Sequence, residues 1–499
     1  MEHNGKSIFK DLTIRPTPLT DGIIERILPE KCRSGDKTLT VGLSGGRKYY
    51  IHSKYDPAAE AENFALSLNL KEKNLIVLGC GLFHHVAKIL EKKHFNKVIC
   101  LEFSSKIFQA ALENAELARL PRGLISMGVM EDRDDISAYL SLALTQGDRN
   151  SIDIVLFNPV LNYLKEAGTG LYDDLKNIFV LRNSWAKFGR RIKKNILNNI
   201  DNLAGSYPAG GLKGAFARRP CIIAAAGASL DDALPQIKKL QDGAYIIAVG
   251  RTLRLLQEAG IRPDFTAVTD PQRKLKYQFS GAGEMGGNHL VYIPTAYPGA
   301  AALCPDRFVS LVEGDDIGPS FDKLGDWAGR LETGGSVSTL ALSFAVSCGF
   351  DPVILAGQDL CVRDGMKHSM RLFALEESAN SSRFQTVLNL KKASSDLSGE
   401  IVKLPYQGCY TLRPLMIYKN WIEGFIEKHP DTVFCNISSG GLPIKGAPAV
   451  NPAKLDSMKN FIRGKESVAA AVARLGLKKL GGENLGIIKK ELQGLYGTL

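Results

Sequence analysis

Long apolar runs are missing from this sequence. The most apolar stretches, Cys221–Ala226 and Leu340–Val346, fall far below the roughly 20 residues that a membrane-spanning helix needs. The first residues lead into no apolar segment of the kind found in secretory signal peptides. We therefore expect a soluble protein with no membrane partner.

Cysteine pairs with metal-binding or redox spacing are missing as well. The nine cysteines are spread from Cys32 to Cys435, and none belongs to a C-x-x-C pair. Their odd number and wide spacing argue against a disulfide scaffold and against a structural zinc site. Several, including Cys221 and Cys348, lie in apolar runs, where cysteine behaves as a small apolar residue. A reducing cytoplasm fits this usage best.

Sequence patterns for nucleic-acid binding are also lacking. No zinc finger, aromatic RNA-binding motif or helix-turn-helix pattern stands out, so nucleic acid is not an expected partner. The charge is nevertheless positive, because 63 Lys and Arg face 52 Asp and Glu, a net charge of +11. Such an excess attracts anions, among them nucleotides and acidic proteins.

The order of apolar and helical segments predicts the fold. Strand, glycine turn and helix alternate through residues 71–165 and again through residues 216–450, which is typical of parallel sheets covered by helices. We expect an α/β protein with two Rossmann-like, doubly wound domains in series. The remaining chain is predicted to form a β-rich start (1–70), a helical linker (166–215) and a basic helical C-terminal segment (451–499).

A glycine turn marks the first α/β domain. Gly79-Cys80-Gly81 follows a predicted strand, and Glu102 ends the next one. Such glycines let the backbone approach a phosphate or an S-adenosylmethionine-type cofactor, and the acid would accept from ribose hydroxyls. His84 stands where the dinucleotide pattern has its third glycine. We favour the alternative interpretation, a structural turn in a domain that has no ligand.

Two glycine turns precede helices in the second domain. One carries Gly227 and Ser229, and the other carries Gly335, Ser336 and Thr339. The N–H groups and the positive dipole at a helix start bind phosphate. The alternative for each turn is a ligand-free helix start whose hydroxyls satisfy its own first-turn donors.

Polar residues follow two further strands of that domain. Asp270 ends one of them, where it would bind ribose, hold Mg²⁺, act as a base or cap the next turn. Gln358 and Asp359 follow the strand at Val353–Leu355, and His368 lies shortly after. Histidine has a near-neutral pKa and could take a proton from an acceptor hydroxyl, although a lone loop histidine is more often merely exposed.

These positions resemble the motor accessory factor (Maf) family of bacterial flagellin glycosyltransferases. The family pattern runs G-x-S-L, then g-i-x-P-D-f with a later D, then G-G-S-V-x-T, then G-Q-D-L. This chain matches it at residues 227–230, at 260–265 with Asp270, at 334–339 and at 357–360. Ala228 departs from the pattern, since the family usually has proline there. The resemblance extends over residues 40–450.

The resemblance implies a cytoplasmic enzyme that transfers a nonulosonic, sialic-acid-like sugar from a CMP-activated donor to Ser or Thr of flagellin. It implies the CMP-sugar and flagellin as partners, no metal site and no certain cofactor, with Mg²⁺ left open. The catalytic candidates are then Asp270, with Asp359 or His368 as the base. The phosphate would be held by Gly227, Ser229, Gly335, Ser336 and Thr339, whereas Gln358 and Asp270 would contact hydroxyls of ribose or sugar or the base.

Two other functions remain open. The same core resembles archaeal 6-hydroxymethylpterin diphosphokinases of the MptE-like type, which are Mg-ATP enzymes. On that interpretation Asp264 and Asp270 hold Mg²⁺. The non-enzymatic alternative is a flagellin-binding assembly factor built on a degenerate nucleotide fold.

Overall fold

The described part of the chain falls into two compact units. The computed structural model describes residues 22–68, 72–114, 124–129, 152–157, 191–273, 287–313, 319–363, 409–451 and 465–481, with a few residues between and after these ranges. Within these ranges no helix is both long and apolar enough to traverse a lipid bilayer. The units are Met1–Leu181 and Arg182–Leu499. The finer boundaries predicted from the sequence stay predictions.

The first unit begins with a small antiparallel sheet and a helix. Its elements are β1 (Ile24–Lys31), β2 (Lys37–Leu43), β3 (Lys48–Tyr50) and α1 (Pro57–Ser67), with the strands paired in that order. Residues 44–47 form the turn between β2 and β3, where the Ser-Gly-Gly-Arg sequence predicts it. Helix α1 starts after Asp56, whose carboxylate accepts from the N–H of Ala59 at 2.8 Å. This cap fixes where the helix begins.

A parallel sheet follows in the same unit. Its strands and helices are β4 (Asn74–Leu78), α2 (His84–Lys92), β5 (Lys97–Glu102), α3 (Ser105–Asn114), β6 (Ile125–Val129) and β7 (Ile152–Leu156). The strand order is β6-β5-β4-β7, and all pairs are parallel. Leu75, Ile76, Val77 and Leu78 of the central strand are all buried. A strand covered on both faces needs such a continuous apolar run.

The second unit is built on a larger parallel sheet. Its strands are β8 (Tyr207–Pro208), β9 (Cys221–Ala224), β10 (Tyr245–Val249), β11 (Phe265–Val268), β12 (His289–Tyr292), β13 (Arg307–Val309), β16 (Val353–Ala356) and β20 (Phe434–Asn436). The eight strands pair in the order β20-β16-β9-β10-β11-β12-β13-β8, and every pair is parallel. Two parallel sheets in one α/β chain confirm the predicted fold class.

Helices and short strands complete the second unit. The helices are α4 (Ile200–Ala204), α5 (Leu230–Leu240), α6 (Thr252–Glu258), α7 (Pro298–Ala302), α8 (Pro319–Ala328), α9 (Val337–Ser347), α10 (Arg413–Glu427) and α11 (Val468–Arg474), with a 3-10 turn at Ala209–Leu212. The short strands are β14 (Leu311–Val312) with β15 (Arg330–Leu331), and β17 (Val362–Arg363) with β19 (Cys409–Leu412) and β18 (Ile401–Lys403). Helix α9 is apolar because it packs on β9, β10 and β11.

The connections of the large sheet create a crevice. From β9 the chain moves outward through β10, β11, β12 and β13, and it later returns to place β16 and then β20 on the other side of β9. The strand order therefore reverses at β9, which lies between β16 and β10. Open α/β sheets bind ligands at the carboxyl ends of the strands at such a reversal point.

Residues 465–481 of the C-terminal segment pack on the opposite, amino edge of this sheet. The ammonium of Lys465 donates to Asp264 at 2.6 Å and to the carbonyl oxygens of Gln241 and Ala244 at 3.1 Å each. Val468 belongs to the same apolar core as the strands. The segment thus stabilises the second unit.

Breaking this ion pair tests how far the segment stabilises the second unit. Asp264 is buried, and burial raises the pKa of its carboxyl although Lys465 opposes that effect. The variant Lys465→Met leaves the carboxylate without its cation, and we expect it to lose about 3 kcal/mol of unfolding free energy in urea titrations. The double variant Lys465→Met with Asp264→Asn should lose less. Single and double variants of equal stability would contradict this assignment.

Candidate functional site

A cleft of about 300 Å³ opens at the carboxyl edge of the large sheet. Because the strands are parallel, the loops after four neighbouring strands meet there. The described lining comprises residues 225–227 after β9, 249–251 after β10, 268–270 after β11, 357–361 after β16, the start of α9 at 336–338, and Leu275, Leu415 and Tyr418. The cleft therefore lies at the reversal point of the sheet.

The structure brings most of the predicted site residues to this cleft. The lining includes Gly227, Asp270, Ser336, Gln358 and Asp359. The remaining described candidates are adjacent to these in sequence but do not line the cleft: Ser229, Gly335 and Thr339. His368 lies outside the described residues.

The turn before α9 is built by reciprocal hydrogen bonds. The Ser336 hydroxyl accepts from the N–H of Thr339 at 3.2 Å, and the Thr339 hydroxyl accepts from the N–H of Ser336 at 3.2 Å. Thr339 also accepts from the N–H of Gly334 at 3.0 Å, and Gly335 has φ of +88°, a conformation that favours glycine. Thr339 is fully buried, so it shapes the turn rather than facing the cleft.

The start of α9 is nevertheless open to the cleft. The cap uses the N–H groups of Ser336 and Thr339, whereas first-turn N–H groups such as those of Val337 and Ser338 have no acceptor within the helix, and both residues line the cleft. The hydroxyls of Ser336 and Ser338 lie 3.0 Å apart. Together with the positive end of the helix dipole, these donors suit an anion such as phosphate.

The start of α5 differs from this picture. The N–H of Ser229 donates to one carboxylate oxygen of Asp359 at 2.8 Å, and the Ser229 hydroxyl donates to the other. A Cβ added to Gly227 would lie only 2.6 Å from the Asp359 carboxyl carbon. Asp359 therefore takes the place in which we expected a phosphate bound by Gly227 and Ser229. The physical reason is that the chain supplies its own anion to this helix start.

Asp270 has two roles in the structure. One carboxylate oxygen accepts from the N–H of Gln272 at 2.8 Å, so the side chain caps the following turn. The same residue lines the cleft. Gln358 also lines it, and its N–H donates to the hydroxyl of Ser438 at 3.0 Å, which fixes the backbone there.

Asp264 cannot share a metal ion with Asp270. Asp264 precedes β11 and Asp270 follows it, so an extended strand separates them by roughly 20 Å at about 3.3 Å per residue. Magnesium ligands lie within about 2.1 Å of the ion. Asp264 instead accepts from the N–H of Ile246 at 2.8 Å and from Lys465. The predicted Asp264–Asp270 magnesium pair is therefore wrong.

Arg251, Leu415 and Tyr418 also line the cleft, and we did not predict them from the sequence. Arg251 directly follows β10 and its neighbour Gly250, a position of the same kind as that of Asp270. The strand-end rule that selected Asp270 could have found it. Leu415 and Tyr418 come from α10, far away in sequence, and no local pattern indicates that this helix closes the cleft.

The glycine turn of the first unit is occupied by the protein itself. Glu102 is buried, and its carboxylate accepts from the N–H groups of Cys80 at 2.9 Å and Gly81 at 3.2 Å. The Nε2 atom of His52 accepts from the N–H of Leu82 at 2.8 Å. These donors are the ones that a cofactor phosphate would use, so the geometry agrees with a structural turn.

A protein family model matches part of the second unit. Residues 194–365 match the family of 6-hydroxymethylpterin diphosphokinase MptE-like proteins. The predicted MptE-like core is confirmed over these residues. No curated protein matches the sequence.

Solved structures provide two further comparisons. The chain is similar to a MAf glycosyltransferase from Magnetospirillum magneticum AMB-1, with a TM-score of 0.49 and 16% identity, over 93% of this chain and 76% of that one. It is also similar to the spermidine synthase from Thermotoga maritima, with a TM-score of 0.19 and 11% identity, over 29% of this chain and 53% of that one.

Replacing His52 tests the cost of protonating the buried histidines of the first unit. Burial lowers the pKa of His52 and of His85 well below the usual 6.5, so only the unfolded chain takes up protons there near pH 6. The unfolding free energy is therefore at its highest above about pH 6.5. It falls as the pH drops toward the lowered pKa values that the two histidines have in the folded protein. We expect His52→Gln to lose less thermal stability on acidification than the wild type.

The exposed His94 provides the matched control. His94→Gln should keep the pH dependence of the wild type. If His52→Gln shows that same dependence, protonation of His52 does not limit the stability of the fold at acidic pH.

Proposed function

We propose that this protein is a glycosyltransferase that moves a nonulosonic, sialic-acid-like sugar from a CMP-activated donor to Ser or Thr hydroxyls of flagellin. The observation that carries the proposal is the meeting of the α9 start, Asp270 and Gln358 in one cleft. The ordered motifs that resemble the Maf family contribute these same residues. The positive net charge of +11 favours both an anionic donor and an acidic protein acceptor.

The α9 start suits the leaving group of this reaction. When the bond between the anomeric carbon and the phosphate oxygen breaks, CMP gains negative charge. The N–H groups of Val337 and Ser338 and the hydroxyls of Ser336 and Ser338, aided by the helix dipole, would stabilise that charge as it develops. The acceptor oxygen then bonds to the anomeric carbon, and its proton must pass to a base.

Asp270 is the proton acceptor that the geometry favours. Both oxygens of Asp359 accept hydrogen bonds from Ser229, which holds that carboxylate in place. One oxygen of Asp270 accepts from Gln272, and no described residue donates to the other. We therefore assign proton transfer to Asp270, and we assign to Asp359 the positioning of the loop after β16.

A pterin diphosphokinase-like activity is the second candidate, because residues 194–365 match the MptE-like family. On that proposal the cleft would take Mg-ATP. Asp270 would then have to bind Mg²⁺ without Asp264, which pairs with Lys465 at the far edge of the sheet.

Intact-mass measurement of flagellin tests the transfer. In cells that also make a CMP-nonulosonate, we expect flagellin to gain the mass of one or more nonulosonic residues when the wild-type protein is present. Asp270→Asn should lower the rate about 10²- to 10⁴-fold, as loss of a general base does. Asp306→Asn, an exposed acid before β13, is the control that should transfer normally. An unchanged flagellin mass with the wild type would contradict the proposal.

Thermal stabilisation separates the two enzymatic candidates. A ligand that binds only the folded protein raises the unfolding temperature, by an amount that grows with the logarithm of its concentration once it exceeds Kd. We expect CMP to stabilise the protein and ATP with Mg²⁺ to leave it unchanged. The opposite result would favour the diphosphokinase.

A further inference from the structure

Among the described residues that line the cleft, Arg251 is the one cation. It stands at the carboxyl end of β10, between β9 and β11 in the sheet. Its neighbours in the cleft are therefore the loop of Gly227 on one side and that of Asp270 on the other.

The acidic side chains of the cleft favour a cation beside an anionic ligand. Asp270 and Asp359 both line it, and two carboxylates repel a phosphate. The dipole of α9 offers only about half a positive charge. A guanidinium supplies a full charge and paired donors that match phosphate oxygens. Arg251 is thus the group that offsets the two acids.

Helix α10 gives the cleft an apolar wall. Leu415 and Tyr418 both line it, and residues three apart lie on one helical face. One turn on, Trp421 packs on the turn before α9, where a Cβ added to Gly334 would lie 2.5 Å from Trp421 Cγ. The aromatic wall is therefore fixed beside the start of α9. Aromatic side chains at such positions stack on nucleobases.

We propose that Arg251 binds the donor phosphate and that Tyr418 stacks on its nucleobase, so that nucleotide recognition is divided between β10 and α10. This proposal rests on the proposed function. It adds two specificity-determining residues that none of the sequence motifs contains, and it names the ligand class of the cleft as a nucleoside monophosphate that carries the sugar.

Calorimetric titration of the full chain with CMP and with cytidine tests the division. Arg251→Gln should lower the affinity for CMP about ten- to hundredfold and leave the affinity for cytidine unchanged, because only CMP carries the phosphate. Arg251→Lys keeps the charge and should lose less. Tyr418→Ala should weaken both ligands about tenfold, whereas Tyr418→Phe keeps the ring and should bind both normally.

Arg254 provides the matched control, since it lies in α6, the helix that follows Arg251, and pairs with Glu258 at 2.9 Å. Arg254→Gln should bind CMP as the wild type does. If Arg251→Gln loses the same affinity for CMP as for cytidine, or loses none for either, the role of Arg251 is overturned. Undiminished binding by Tyr418→Ala would overturn the role of Tyr418. A wild-type protein that binds no CMP would overturn the proposed function together with this inference.

Discussion

The parallel order of the large sheet is the constraint on which the site depends. Because β9, β10, β11 and β16 all run in one direction, the loops after them meet at a single edge. The strand order reverses at β9, which has β10 on one side and β16 on the other, and open α/β sheets form their ligand crevice at such a point. Helix α9 packs across the same strands, which brings its first turn to the cleft.

In both parallel sheets, a carboxylate accepts hydrogen bonds from the N–H groups of the turn between a strand and the next helix. After β4, Glu102 accepts from the N–H groups of the glycine turn, and after β9, Asp359 accepts from Ser229. In both places a buried carboxylate from a neighbouring strand end binds the donors that a phosphate would use. The start of α9 differs, because its donors line the cleft. This contrast is why we place the donor phosphate at α9.

Local patterns predicted much of this arrangement. Cys221–Ala224 and Val353–Ala356 are continuous apolar runs, and they form adjacent central strands. Residues at the ends of such strands, Asp270 and Gln358, were identified because parallel strands end at a common edge. The same reasoning, applied to β10, would have identified Arg251.

Contacts between distant residues were beyond prediction. Ser229 and Asp359 are 130 positions apart, and Asp264 and Lys465 are 201 apart, so no spacing rule connects them. Asp264 and Asp270 misled for the opposite reason, since they are close in sequence but lie at opposite ends of an extended strand. The contribution of α10 depends on how a helix from beyond residue 400 packs, which its own sequence does not reveal.

A crystal structure of the protein with bound CMP shows directly which helix start binds the phosphate. We expect the phosphate within hydrogen-bonding distance of the N–H groups of Val337 and Ser338, with Asp359 still bound to Ser229. A phosphate bound at the start of α5 with Asp359 displaced, or a nucleotide bound away from the carboxyl edge of the sheet, would contradict it.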